Sequence, residues 1–132
     1  MMLHAHFMVV LCNEAMINTA ITVLQIGIGL CMVVFGVHQM IKPEDWLSYL
    51  PQFIIQHSPA KPETDMRIHA LGNIFFGLLI ASTFAAWWAA LLTLIWWLTI
   101  LPFAFRKDWA IGMRDLTIIF AITSLLLLVS ER

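Results

Sequence analysis

From Ile68 to Phe105 the chain carries no charged side chain. A helix rises about 1.5 Å per residue and the hydrocarbon of a bilayer is roughly 30 Å thick, so about 20 residues cross it. The stretch is too long for one crossing and just long enough for two compact ones, joined by a tight turn near "FAAWWA", residues 84 to 89. Ala15 to Ile41 is also uncharged, and Trp109 to Ser130 is interrupted only by Arg114 and Asp115. With 61% hydrophobic and 11% charged residues and a mean hydropathy of +0.89, the composition departs from that of a soluble domain. The expectation is an all-α, multi-pass integral membrane four-helix bundle, one domain over residues 1–132, with helices near 15–41, 66–84, 88–105 and 109–129.

Between the first two spans lies a different kind of segment. Pro43 can open a helical turn, Glu44 and Asp45 suit its positive N-terminal end, and Trp46, Leu47, Leu50, Phe53 and Ile54 fall on one side at roughly helical spacing. Pro51 interrupts the pattern. Residues 43–57 therefore read as a short, kinked interfacial helical segment, with Trp46 and Tyr49 as anchors at headgroup level. "SPAKPETD", residues 58 to 65, follows as a polar connector in which Thr64 or Asp65 can cap the second span.

The N-terminal "MMLHAHFMVVLCNE" has no Lys or Arg before its apolar part and no small-residue cleavage site, so it reads as an interfacial segment or an extension of the first helix. His4 and His6 lie on opposite sides of a helix, which makes them a poor metal pair. Cys12 and Cys31 are the two cysteines and form no C-x-x-C, so neither a dithiol motif nor a zinc site is expected. Cys31, deep in the first span, reads as a small packing residue. No Gly-rich phosphate loop and no G-x-S-x-G elbow is present, and neither catalytic activity of its own nor a nucleic-acid partner is expected.

Polar residues gather at one end of the expected bundle. His38 ends the first span, Arg67, His69 and Asn73 begin the second, and Arg114 with Asp115 begin the last. In an antiparallel bundle these ends share a membrane face with the interfacial segment, so His38, Arg67, His69, Asn73, Arg114 and Asp115 form a candidate polar site. His69 and Asn73, four apart, share a helix face. The two arginines can snorkel, whereas Asp115 is too short to do so and needs a partner in Arg114, Arg67 or His69. Both a structural Asp–Arg clamp and a proton or ligand site fit it. His38 reads first as a boundary residue, and a bis-histidine haem between His38 and His69 is the sharper alternative.

Two stretches carry a family resemblance. "IGIGLCMVVFGVHQMIKPEDWLSYLPQFI", residues 26 to 54, resembles the first helix and following loop of small DoxX-like membrane proteins, with Gly36, Pro43, Trp46 and Pro51 in order. "MRDLTIIFAITSLLLL", residues 113 to 128, is similar to their last helix, which opens on an Arg-Asp pair matched by Arg114 and Asp115. The likeness covers residues 20 to 130 or so, and the N-terminal extension departs from it. It implies a four-helix membrane fold. Some relatives are linked to sulfur or quinone redox complexes, as is the small subunit of thiosulfate:quinone oxidoreductase, and others act as membrane chaperones or accessory subunits.

Two functions follow. One is a non-catalytic accessory subunit in the lipid bilayer, packing against other membrane protein subunits; six Trp, nine Phe and the small residues Gly29 and Gly36 suit this. The other is a redox-associated subunit with a quinone or haem pocket at the charged membrane face. A small transporter is a weaker third.

Orientation follows from the basic residues. Lys42, Lys61 and Arg67 lie in or beside the first long loop, Arg106, Lys107 and Arg114 around the last connection, and the opposite side has only Arg132. Both loops should be cytoplasmic and both termini outside, even when Arg67 and Arg114 are discounted as intramembrane. A membrane-impermeant maleimide should therefore label Lys61→Cys only after intact cells are permeabilised. Labelling from the outer side would invert the topology.

Overall fold

The computed structural model describes the backbone of residues 2–82 and 85–130, and side chains from residue 14 onward within that range. The side chains of His4, His6 and Cys12, the residues at 83 and 84 in the expected turn, and Arg132 lie outside the described residues. Helix α1 runs Met2–Ile41, a 3-10 helix Pro43–Tyr49, then α2 Gln52–His57, α3 Pro62–Ala81, α4 Ala86–Lys107 and α5 Trp109–Ser130. No strand occurs among the described residues. Three helical stretches, Glu14–Ile41, Ala86–Lys107 and Trp109–Ser130, are long and apolar enough to cross a membrane, which makes this a multi-pass integral membrane protein.

Local chemistry sets the boundaries. Helix α3 begins at Pro62 because proline at N1 has its φ preset and lacks the N–H that a helix start leaves unpaired; Lys61 is the N-cap, and neither Thr64 nor Asp65 caps it. Glu63 and Asp65 in the first turn complement the helix dipole. A single residue joins α4 to α5. The backbone N–H of Asp108 closes α4 on the Ala104 carbonyl, and its Oδ1 accepts from the Ala110 N–H at 2.7 Å to open α5. Between α3 and α4 the chain turns through Ala85, which has a positive φ of 47°. The N-terminal segment continues α1 from Met2.

Each long helix turns one narrow stripe inward. On α1 it is Ile21, Gln25, Ile28, Met32 and Gln39; on α3 it is Met66, Ala70, Asn73, Gly77 and Ile80. Intervals of three and four residues keep each stripe facing its neighbours along the helix. Helix α1 packs mainly on α3 and α4 on α5, and the contacts α1 with α5 and α3 with α4 close the ring. The polarity is inverted relative to a soluble protein. Gln25, Gln39, Asn73, Thr93 and Asp115 are buried, while Val23, Leu30, Phe75, Leu78, Ile95, Phe120 and Leu127 face outward. Lipid tails suit such a surface.

The α1–α3 seam depends on glycine. A Cβ on Gly29 would stand 2.5 Å from the Gly77 carbonyl oxygen, and one on Gly77 would stand 2.8 Å from that of Gly29. Gly36 likewise abuts the Ala70 carbonyl. These glycines, expected from the sequence to serve contacts with other subunits, are instead consumed inside the chain. Gly29→Val should therefore lower thermal stability in detergent by about 1 to 3 kcal/mol, the usual cost of overpacking a closed contact. Gly27→Val, where nothing lies within 4 Å, is the control. Equal melting of the two variants would mean the seam is loose.

Candidate functional site

One end of the bundle is roofed by the 3-10 helix and α2. Pro43 starts the first piece with Glu44 and Asp45 in its opening turn, and Pro51, in extended backbone, breaks it before α2. Aromatic contacts hold the roof down. Trp46 lies 5.9 Å from Phe35 and 5.4 Å from Tyr49 between ring centroids, and Phe53 meets Phe103 of α4 at 6.2 Å. The Trp46 indole N–H donates to Nδ1 of His38 at 2.7 Å. At the exit, the Ser58 hydroxyl donates to Asp65 Oδ1 at 2.9 Å, tying the connector to α3.

Beneath this roof is a cavity of about 430 Å³. Phe35, Trp46, Tyr49, Trp96 and Phe103 supply much of its wall. Its polar groups come from all four long helices. Asn73 donates through Nδ2 to Gln39 Oε1 at 2.9 Å and accepts at Oδ1 from the Trp96 indole at 2.8 Å. One amide thus bridges α1, α3 and α4. His69 stacks on Trp96 with centroids 5.1 Å apart. On α5, Arg114 donates from Nε to Asp115 Oδ1 at 2.9 Å and from Nη2 to the same oxygen at 2.8 Å. The Arg114 guanidinium also sits 5.1 Å from the centre of the Phe35 ring, a cation–π contact with α1. Among the described residues, none donates a hydrogen bond to the second Asp115 oxygen.

His69, Asn73, Arg114 and Asp115 all line the cavity, together with Trp46 and Tyr49. His38 and Arg67 are exposed and do not line it. His38 therefore does not face His69 across the cavity, and its Nδ1 is engaged by Trp46, so the residues present do not fit a bis-histidine haem. Among the described residues no group of three or more His, Cys, Asp or Glu is placed to hold a metal ion. Trp46 and Tyr49 contribute to the cavity wall as well as to the roof's outer contacts. Sequence reasoning missed Gln39 and Trp96. The three-and-four spacing of Gln25, Ile28, Met32 and Phe35 reaches Gln39 next, which was the available signal; His38, one position earlier, turns away.

A scan against protein-family models finds no match, and searches of curated proteins and of solved structures find none. The class the fold defines is thus a helical, multi-pass integral membrane protein with a cavity lined by aromatic and polar side chains.

The Arg114–Asp115 pair is lopsided, with side-chain exposures of 42% and 4%. Removing Arg114 leaves a buried carboxylate without its donor, whereas removing Asp115 leaves a guanidinium that water or headgroups can solvate. Arg114→Leu should therefore destabilise more than Asp115→Leu in thermal melts in detergent. Breaking a buried pair from one side costs about 3 to 5 kcal/mol, and the exposure of Arg114 places this loss below that range. Adding Asp115→Leu to Arg114→Leu should recover part of it. A double variant no more stable than Arg114→Leu would remove the clamp.

Proposed function

We propose that this chain is a four-crossing bundle of the DoxX-like kind that its sequence resembles, acting as a non-catalytic accessory subunit of a redox-associated membrane complex and holding a lipid-soluble quinone in its cavity. Helix α3 serves as the fourth crossing. Its 20 residues span about 30 Å, its charges Glu63, Asp65 and Arg67 all lie near its start, and it packs along α1. The roof, residues 43–57, lies in the interface.

The observation that carries the reading is the cavity itself, lined by aromatic rings and a set of polar groups from all four long helices. Phe35, Trp46, Trp96 and Phe103 offer faces for a flat ring. Arg114, Gln39 and the hydroxyl of Tyr49 are donors for carbonyl oxygens, and Asp115 accepts from a hydroxyl. A quinone supplies two-electron, two-proton redox chemistry when bound; this chain's residues bind and orient its ring and exclude water from it. Nothing in the wall is arranged as a nucleophile with its base, which supports a binding role in a larger complex.

The test is titration of the purified protein in lipid nanodiscs with decylubiquinone, followed by tryptophan quenching. Saturable quenching is expected. Phe103→Ala should weaken it up to about tenfold, the upper end of what one aromatic contact supplies. Trp88→Leu, exposed at the opposite end of α4, should not. Absence of saturable binding, or equal effects of the two variants, would overturn the proposal.

A further inference from the structure

The hydrogen bond between Trp46 and His38 has only one workable protonation state. An indole N–H donates and never accepts, so the 2.7 Å contact requires Nδ1 of His38 to be the bare ring nitrogen, with the imidazole proton on Nε2. A second proton converts Nδ1 into a donor, and two N–H groups then face each other. The bond is lost. Histidine is the side chain that ordinarily changes charge between pH 5 and 8.

The location gives that change a consequence. Trp46, Phe35 and Tyr49 all line the cavity and pack on one another, so the bonded indole is a piece of the cavity wall. His38 lies outside the cavity and close to the end of the Glu14–Ile41 stretch, so a proton reaches it at the membrane boundary without entering the cavity. Few residues of the roof are fully buried: Pro43 is the one in the 3-10 helix, and α2 has none. Its other ties are the packing of the 3-10 helix on α1, α3 and α4, which includes the Trp46–Phe35 contact, the Phe53–Phe103 contact and the Ser58–Asp65 hydrogen bond at its exit. We infer that the His38–Trp46 hydrogen bond is a proton-operated latch on the cavity: neutral His38 holds residues 43–57 over the opening, and protonated His38 releases them.

Other charged groups near His38 do not take over its charge. Lys42 lies between α1 and the 3-10 helix, Glu44 and Asp45 on the 3-10 helix, Asp65, Arg67 and His69 on α3, and Arg114 and Asp115 on α5. Among the described residues the ion pair is Arg114 with Asp115, and none joins His38. His57 is a second imidazole on the roof itself, with Nδ1 2.9 Å from the Phe53 carbonyl, and it is the control. The latch rests on the cavity being a ligand site, and its test reads the roof alone.

Hydrogen exchange of residues 44–57 in the full chain, in lipid nanodiscs at pH 8 and pH 5.5, supplies that test once rates are corrected for intrinsic pH dependence. Wild-type protection should fall about fivefold at the lower pH, the factor that one net hydrogen bond provides. His38→Gln, whose side-chain oxygen accepts from Trp46 at either pH, should give protection independent of pH. Trp46→Phe, with no donor, should be weakly protected at both. His57→Gln should keep the wild-type response. A pH response that persists in His38→Gln, or a flat wild-type profile, overturns the latch. Protection that switches in a protein that binds no decylubiquinone sinks the ligand and leaves the latch; quinone binding with flat protection does the reverse.

Discussion

A single amide, that of Asn73, is satisfied from two other helices at once. Buried on α3, it gives a proton to Gln39 of α1 and takes one from Trp96 of α4. In hydrocarbon an unpaired polar group costs several kcal/mol, so sliding or rotating any of the three helices is penalised until these bonds re-form. Apolar packing has no such directional demand, because a leucine meets lipid nearly as well as it meets another leucine. The amide therefore fixes the register that the glycine seam between α1 and α3 permits but does not choose. It also couples the two helix pairs, α1 with α3 and α4 with α5, whose mutual contacts are otherwise thinner.

The cavity follows from that bridge. Because Trp96 is held by its N–H, its ring stands against His69 and Phe76 instead of filling the space above Asn73. Trp46 is held in the same fashion by His38 from the other side. Two indoles, each pinned at its polar edge, keep their faces apart. The bundle below is tight and tied by hydrogen bonds, whereas the roof is short, interrupted by Pro51 and almost without buried residues. Low local burial is the physical ground for the roof opening more readily than the helices.

Much of the architecture is written in charge placement, and less of the site. Uncharged runs mark α1, α4 and α5 because a charge inside hydrocarbon is expensive, and the prolines at 43, 51 and 62 mark helix starts and breaks because proline acts locally. Rotation about a helix axis is harder to read. His38 and Gln39 are neighbours in sequence, and nothing in either residue type says which faces in; the stripe from Gln25 through Met32 decides it. Trp46 reads as an interfacial anchor from its neighbours alone, since its bond to His38 depends on how the chain returns over the end of α1. Gly29 and Gly36 likewise signal a close helix approach without naming the partner, which is α3 of the same chain.

Asp115 is open to a structural and a functional reading, and its two oxygens are not equivalent. Adjacent residues on a helix project about 100° apart, so Arg114 does not meet Asp115 by default. It has to fold back, and the Phe35 face beneath its guanidinium makes that folded posture favourable. Both of its donors then converge on Oδ1, which completes the clamp with half of the carboxylate. The other oxygen has no donor among the described residues, in a residue that lines the cavity. A carboxylate fixed by one oxygen presents the other at a defined position. Asp115 thus pairs with Arg114 near the start of α5 through one oxygen and leaves the other oxygen unpaired beside the cavity.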